Sequence, residues 1–311
     1  MKITIIGPGA MGCLLAGLLA KSGNEVWLLD KNQNRADNIK KNGIRIEGKT
    51  DLQIKIDITT EVGKIGKADL IIIAVKSYDT IQAALSVRSI INSATYILTL
   101  QNGIGNVENI KNVLNNPNIL GGVTSHGATL LGDGLLRHAG TGDTYIGRLD
   151  GKSTTEVKTI AEIFNKSGID TKISENIEGL LWSKLIINVG INALTAITRL
   201  NNGRLIEFEG TEGVLEKAVS EAILVAQKKN IKLIYNDPLE RVKEVCRLTS
   251  ANISSMLQDV LKKRKTEIEY INGAIVKEAE ILGISVPVNE VLTNLVKTIE
   301  SSYAKQLSSS N

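Results

Sequence analysis

Lys2-Ile-Thr-Ile-Ile-Gly-Pro-Gly-Ala-Met-Gly12 runs directly into the apolar segment Cys13-Leu-Leu-Ala-Gly-Leu-Leu-Ala-Lys-Ser22. The first residues are β-branched and read as a short strand, the glycines as a tight turn, and residues 13–22 as a helix. This is G-x-G-x-x-G in the strand–turn–helix setting that gives it meaning. Gly7 permits the turn, Gly9 lets backbone approach a pyrophosphate, and Gly12 lets the helix pack closely on the strand. With Ala10 and Met11, these residues begin a helix whose unpaired N–H groups and positive dipole end suit phosphate. A glycine-rich turn with no ligand is the plainer reading, but the flanks on both sides favour a dinucleotide site. Glu25-Val-Trp-Leu-Leu29 is the second strand, and Asp30 at its end is placed to accept hydrogen bonds from adenosine ribose hydroxyls, as NAD requires. Lys31 follows at once and Arg35 is near, and either could hold a 2′-phosphate, so NADP stays open.

Further along, residues 42–48 and 52–58 look like a hairpin pair. Ala68-Asp-Leu-Ile-Ile-Ile-Ala-Val75 is almost continuously apolar, as a central parallel strand covered on both faces should be. It delivers Lys76 and Ser77 to its carboxyl end, where open α/β sheets bind ligands. Residues 95–100 form another such strand, ending in Gln101-Asn102-Gly103. Lys76 and Asn102 are read as facing the nicotinamide half of a cofactor, against the alternative of strand-end turn chemistry. The glycine- and threonine-rich stretch 119–147 should complete the sheet, and its two histidines, His126 and His138, read as structural.

After Gly151 helical periods dominate, with helices expected over 157–167, from 177, and over 210–230, 238–245, 252–261, 267–282 and 289–303. The serine tail 308–311 should be disordered. The expectation is an α/β Rossmann-type dinucleotide-binding domain over 1–174 and an all-helical domain over 175–311. Within the latter, Leu180-Leu-Trp-Ser-Lys-Leu-Ile-Ile-Asn-Val-Gly-Ile-Asn-Ala-Leu194 is apolar except at Lys184, Asn188 and Asn192. Their i, i+4, i+8 spacing stacks three polar side chains on one helical face. A buried lysine is costly unless paired or used, so the row is a candidate wall of a polar site. An amphipathic helix whose lysine reaches solvent is the plainer alternative.

The 311 residues suffice for two domains, and 42% apolar with 23% charged residues is ordinary for a soluble protein. A net charge of +4 is mild and, outside residues 262–265, scattered, so nucleic-acid binding is not implied. Two distant cysteines give neither a disulfide framework nor a metal site, which points to a reducing, cytoplasmic setting. No signal peptide is expected, and the longest apolar runs, at 14–20 and 70–75, are too short for a bilayer. No Ser-His-Asp, H-E-x-x-H or C-x-x-C arrangement supports a hydrolase or a zinc enzyme. The C-terminal helices could supply a homodimer interface, though no pattern demands one.

Taken together, Gly7-Pro-Gly-Ala-Met-Gly12, Val75-Lys76, Gln101-Asn-Gly103, Trp182-Ser-Lys-Leu185 with Asn188 and Asn192, Asn201-Asn-Gly203, Asn252-Ile-Ser-Ser-Met-Leu-Gln-Asp259 and Thr266-Glu-Ile-Glu-Tyr-Ile-Asn-Gly273 occur in one order. In them the chain resembles the ketopantoate reductases (2-dehydropantoate 2-reductases) over nearly its whole length. The resemblance implies a dinucleotide domain followed by helices, substrate bound in the cleft between them, and NADPH-dependent reduction of the 2-keto acid ketopantoate to pantoate, on the route to pantothenate and coenzyme A. It implies Lys184 as the catalytic lysine and Glu267 as the acidic residue near the substrate hydroxyl and that lysine. It further implies Asn188, Asn192 and Asn202 as substrate-contacting amides and Ser255 as a carboxylate-binding serine. Glu267 could otherwise pair with Arg264 on a charged surface helix. The family commonly carries a basic residue at the end of the second strand; here Asp30 precedes Lys31, which leaves NAD(H) open beside NADP(H). A related dehydrogenase for another small 2-keto or hydroxy acid is the nearest alternative, and a non-catalytic dinucleotide-sensing regulator is the alternative from another class.

Overall fold

The computed structural model describes residues 1–306, and the tail 308–311 lies outside them. The chain forms two compact units: Met1–Gln101 with Asn106–Ile177, and Asn102–Gly105 with the chain from Glu178 onward. The division expected after residue 174 therefore differs in two respects. Glu175, Asn176 and Ile177 stay with the first unit, and the turn after Gln101 goes with the second.

The first unit is built on strands β1 (Lys2–Ile6), β2 (Glu25–Leu29), β3 (Ile44–Gly48), β4 (Leu52–Ile54), β5 (Asp57–Thr59), β6 (Leu70–Ile73), β7 (Tyr96–Thr99), β8 (Ile119–Thr124), β9 (Gly127–Gly132), β10 (Leu135–Gly140), β11 (Thr144–Gly147) and β12 (Thr171–Ile173). Eight of them form one sheet in the order β12-β11-β8-β7-β6-β1-β2-β5. All its pairs are parallel except β11 against β8. Ile6 is in register with both Leu29 and Ile73, so three strands end at one level. The strand order reverses at β1, and ligands of such sheets bind at the carboxyl edge beside that reversal. Side chains on β1 and β6 are buried because helices cover both faces; Ile3, Ile5, Leu70, Ile71, Ile72 and Ile73 are all at 0% exposure.

Two expectations fail here. Residues 52–58 are not one strand: β4 pairs antiparallel with β3, whereas β5 leaves to join β2 in the large sheet. Nor does all of 119–147 complete that sheet. β8 and β11 do, but β9 and β10 form a separate four-stranded sheet in the order β4-β3-β10-β9. The cause is local, since Asp133-Gly134 joins β9 to β10 with Gly134 at φ +73°. Asp-Gly is a strong two-residue hairpin signal, and a hairpin must leave the parallel ladder.

The second unit is helical, with helices Ile177–Thr198, Glu209–Lys228, Pro238–Leu248, Ser255–Leu261, Asn272–Leu282 and Pro287–Ser302. The Ile177–Thr198 helix supplies Trp182, Leu185, Ile186, Val189, Ala193 and Leu194 to the core. Contrary to the sequence expectation, it is long and apolar enough to cross a membrane, but 72% of its apolar window is buried inside the protein. The helix expected over 267–282 is broken. A 3-10 turn, Ile268–Tyr270, comes first, and Ile271 at φ −112°, ψ −95° separates it from the helix proper. Glu267 thus precedes a turn and does not lie along a charged helix face.

Candidate active site

The nucleotide half is assembled at the carboxyl edge of β1. Gly7 adopts φ +93°, and a Cβ there would meet Val75 Cγ1 at 2.7 Å. A Cβ on Gly12 would lie 2.1 Å from the Gly7 carbonyl oxygen. Gly9 is different: a Cβ there meets nothing within 4 Å. The space above Gly9 is therefore open, while Gly7 and Gly12 are packed against protein. Gly9 is the N-cap of the Ala10–Lys21 helix and offers no side chain to its first N–H groups. Ala10 and Met11 stand at this helix start, half-buried. A cradle of free helix-start N–H groups beside open space fits a pyrophosphate.

At the end of β2, Asp30 is buried and both its oxygens are occupied by Arg35. Arg35 Nε donates to Oδ2 at 2.5 Å and Nη2 to Oδ1 at 2.6 Å, while the Asn32 N–H also donates to Oδ1 at 3.1 Å. Lys31 projects outward, 78% exposed, in an ion pair with Asp79 at 2.9 Å. The structure thus joins Asp30 and Arg35, the two residues whose charges pointed to opposite cofactors.

Lys76 N-caps a 3-10 turn, Ser77–Asp79, directly after β6. That loop is held from beneath by a buried amide–hydroxyl network that the sequence reading missed. Gln101 Nε2 donates to the Val75 carbonyl and to Thr80 Oγ1, both at 2.8 Å, and Thr80 Oγ1 lies 2.9 Å from Asn106 Oδ1. Asn102 belongs to the second unit: the Ile104 N–H bonds the Tyr270 carbonyl at 3.2 Å, beside the turn that follows Glu267.

The polar row lies in the second unit. Lys184 and Asn188 are half-buried and Asn192 is 5% exposed, all on the Ile177–Thr198 helix. Burial strips water from the Lys184 ammonium and lowers its pKa from 10.5 to about 8, against the opposing charge of Glu267, which raises it. Glu267 is itself buried, at 6% exposure. Asn188 Nδ2 is buried with no hydrogen-bond partner, and so is Asn202 Oδ1. Asn202 is held by its other groups: Nδ2 donates to Thr249 Oγ1 at 2.9 Å and its N–H to the Asn252 carbonyl at 3.0 Å. Ser255 begins the Ser255–Leu261 helix, half-buried, after the N-cap Ser254. Buried polar groups are nearly always bonded, so two orphaned amide atoms, one on the helix that carries Lys184 and one at the start of the Asn202–Ile206 turn, mark a polar ligand site. Chemically, the arrangement offers one proton donor of near-neutral pKa, one carboxylate and several neutral hydrogen-bonding groups. Among the described residues no cluster could hold a metal ion.

Residues 3–151 match the family described as Ketopantoate reductase PanE/ApbA, and 176–300 match its C-terminal counterpart. A 2-dehydropantoate 2-reductase of Pyrococcus horikoshii is 38% identical over 97% of this chain and 98% of its own. A PanE/ApbA family ketopantoate reductase from Ralstonia eutropha JMP134 superposes with a TM-score of 0.91 at 34% identity, covering 98% of this chain and 100% of that one. D-mandelate dehydrogenase, solved with NADH and anilino(oxo)acetate, superposes at 0.92 with 30% identity, covering 98% and 100%.

Proposed function

The chain belongs to the ketopantoate reductase family, and we propose that Lys184, with Glu267 beside it, protonates the substrate oxygen in the family's reaction. That reaction is the reduction of the 2-keto acid 2-dehydropantoate to pantoate by a nicotinamide dinucleotide. When bound, the reduced nicotinamide supplies the hydride to the keto carbon. Gly7, Gly9, Ala10, Met11 and Gly12 would hold the cofactor's pyrophosphate, with Lys76 and Asn102 toward its nicotinamide half. As negative charge develops on the keto oxygen, the Lys184 ammonium stabilises it and hands over a proton. The observation that carries this reading is the Lys184 ammonium shielded from water and facing the charge of the buried Glu267, which together bring its pKa to about 8: the group is protonated at neutral pH yet acidic enough to give the proton up. The orphaned Asn188 Nδ2 and Asn202 Oδ1 are a donor and an acceptor for a hydroxylated acid. Asn192 and Ser255 complete the set, with Ser255 on the carboxylate. Neutral partners fix the substrate's orientation without leaving an unpaired charge.

On cofactor choice we favour NADPH. With both Asp30 oxygens engaged by Arg35, the carboxylate is masked from the ribose hydroxyls and its charge is balanced, and the exposed Lys31 beside the pair supplies the positive charge that a 2′-phosphate needs. A second reading, an NADH-dependent reductase of aromatic 2-oxo acids, draws support from the likeness to D-mandelate dehydrogenase with NADH.

Steady-state assays of keto-acid reduction by cofactor absorbance test both. Wild type should turn over 2-dehydropantoate faster than an aromatic 2-oxo acid, and with NADPH in preference to NADH. Arg35→Ala, which frees the Asp30 carboxylate, should raise the NADPH KM about tenfold and lower that of NADH. Lys184→Ala should lower kcat by at least about 100-fold. Near-normal kcat in Lys184→Ala would remove the proton-donor assignment, and preference for the aromatic acid would install the second reading.

A further inference from the structure

Thr195 and Ser254 have no part in the chemistry above, yet they join two of the elements that carry it. Thr195 lies beyond Asn192 on the Ile177–Thr198 helix, and its helical position puts it on the face of Lys184 and Asn188. Ser254 immediately precedes Ser255. Both are buried, at 0% and 6% exposure, and their hydroxyl oxygens are 2.6 Å apart. The direction of this bond follows from its neighbours. Thr195 donates its hydroxyl proton to the Asn192 carbonyl at 2.9 Å, so Ser254 must be the donor to Thr195. Ser254 Oγ in turn accepts the Leu257 N–H at 3.1 Å. The result is a directed chain: Leu257 N–H to Ser254, Ser254 to Thr195, Thr195 to the Asn192 carbonyl. Each hydroxyl both donates and accepts, and linked bonds of this kind polarise one another.

The helix begun by Ser255 has only 7 residues, too few to be rigid by itself. Its body is held by the burial of Met256, Leu257 and Val260, and its start by the N-cap Ser254, whose hydroxyl meets Thr195. We infer that the Thr195–Ser254 hydroxyl pair is a positioning device for Ser255, setting where its hydroxyl stands relative to Asn188 and Asn192 and thereby the affinity for the substrate carboxylate. The inference rests on the assignment of Ser255 to substrate binding. Neither Thr195 nor Ser254 is assigned a contact with the substrate; both act through Ser255, on binding and not on the hydride or proton step.

Thr195→Val keeps the side-chain shape and deletes the hydroxyl, whereas Thr195→Ser keeps the hydroxyl. In steady-state assays Thr195→Val should raise the KM for 2-dehydropantoate about tenfold, leave kcat within about threefold and leave the cofactor KM unchanged, and Thr195→Ser should restore the keto-acid KM. Ser254→Ala, which also removes the N-cap, should give the same KM pattern and keeps the test alive if Thr195→Val does not fold. Ser255→Ala is measured in parallel. Because the pair acts through Ser255, adding Thr195→Val to Ser255→Ala should raise KM no further. A normal keto-acid KM in folded Thr195→Val beside a raised one in Ser255→Ala overturns this inference alone. Multiplying effects in the double variant overturn it too, as does an equal fall in kcat and kcat/KM. A normal KM in Ser255→Ala overturns the substrate-binding assignment of Ser255, and this inference with it.

Discussion

Lys184 sits in a helix that is apolar for most of its length, and its ammonium loses hydration there faster than the Glu267 charge replaces it; the net result is a pKa of about 8, down from 10.5. The consequence for activity has a definite sign. Reduction needs the protonated lysine, so kcat for keto-acid reduction should hold near neutrality and fall as pH rises through about 8. Glu267 raises the lysine pKa, so Glu267→Gln should move the falling limb to lower pH as well as weaken substrate binding. A pH–rate profile of the two proteins checks this, and an unmoved limb would detach Glu267 from the lysine. Asp30 shows the same dependence on a neighbour. As a strand-end carboxylate it favours NAD, but with Arg35 bonded to both its oxygens it becomes part of a neutral pair. Its chemistry is set by its partner and not by its residue type.

Among the elements, the turn between β1 and the Ala10–Lys21 helix separates two roles that one motif assigns to glycine. Gly12 has its Cβ space filled by the Gly7 carbonyl, while that of Gly9 is empty for 4 Å. Gly12→Ala should therefore damage the fold, lowering Tm by about 5 °C, because the clash is with backbone that cannot swing away. Gly9→Ala should leave Tm within about 1 °C and weaken cofactor binding at least about tenfold, because the added methyl invades only the space a pyrophosphate would use. Thermal melts with and without NADPH distinguish the two, and equal loss of stability in both variants would refute the division. In the second unit the Ile177–Thr198 helix gives most of its surface to the core and keeps a polar row for Lys184, Asn188 and Asn192. Its membrane-like hydropathy is thus a by-product of burial in protein.

For the molecule as a whole, the chain has one core under the large sheet and another among the helices. In the first unit the two sheets meet at a histidine pair: His126, just beyond β8, has its Nδ1 3.0 Å from Nε2 of His138 on β10, and His138 Nδ1 lies 2.9 Å from Thr50 Oγ1. Burial lowers the pKa of both; the neighbouring His138 charge lowers that of His126 further, while Asp170 raises it and a Gly140 backbone bond raises that of His138. Their folded-state values thus lie below the ordinary 6.5. As pH falls below that value the unfolded chain takes up protons first, and stability is lost on acidification. Tm should drop between pH 7 and pH 5 from this source. His126→Asn should flatten the dependence; an unchanged slope in that variant would assign the acid sensitivity to carboxylates instead.

How much could be read in advance differs from place to place. The glycine turn, the covered strands β1 and β6, and the i, i+4, i+8 polar row were legible in the residues, because each is a short-range pattern whose period or spacing forces the geometry. The same holds for Ser254, an N-cap serine that was legible and passed over. What tertiary structure alone decided is which groups meet across long separations. β10 came to pair with β3 in a second sheet, Asn202 found Thr249, and Thr195 met Ser254. The physical reason is that hydrophobic period and turn chemistry are carried by neighbours in the chain, whereas the charge state of a buried group and the partner of a buried hydroxyl depend on what packing brings within about 3 Å of it.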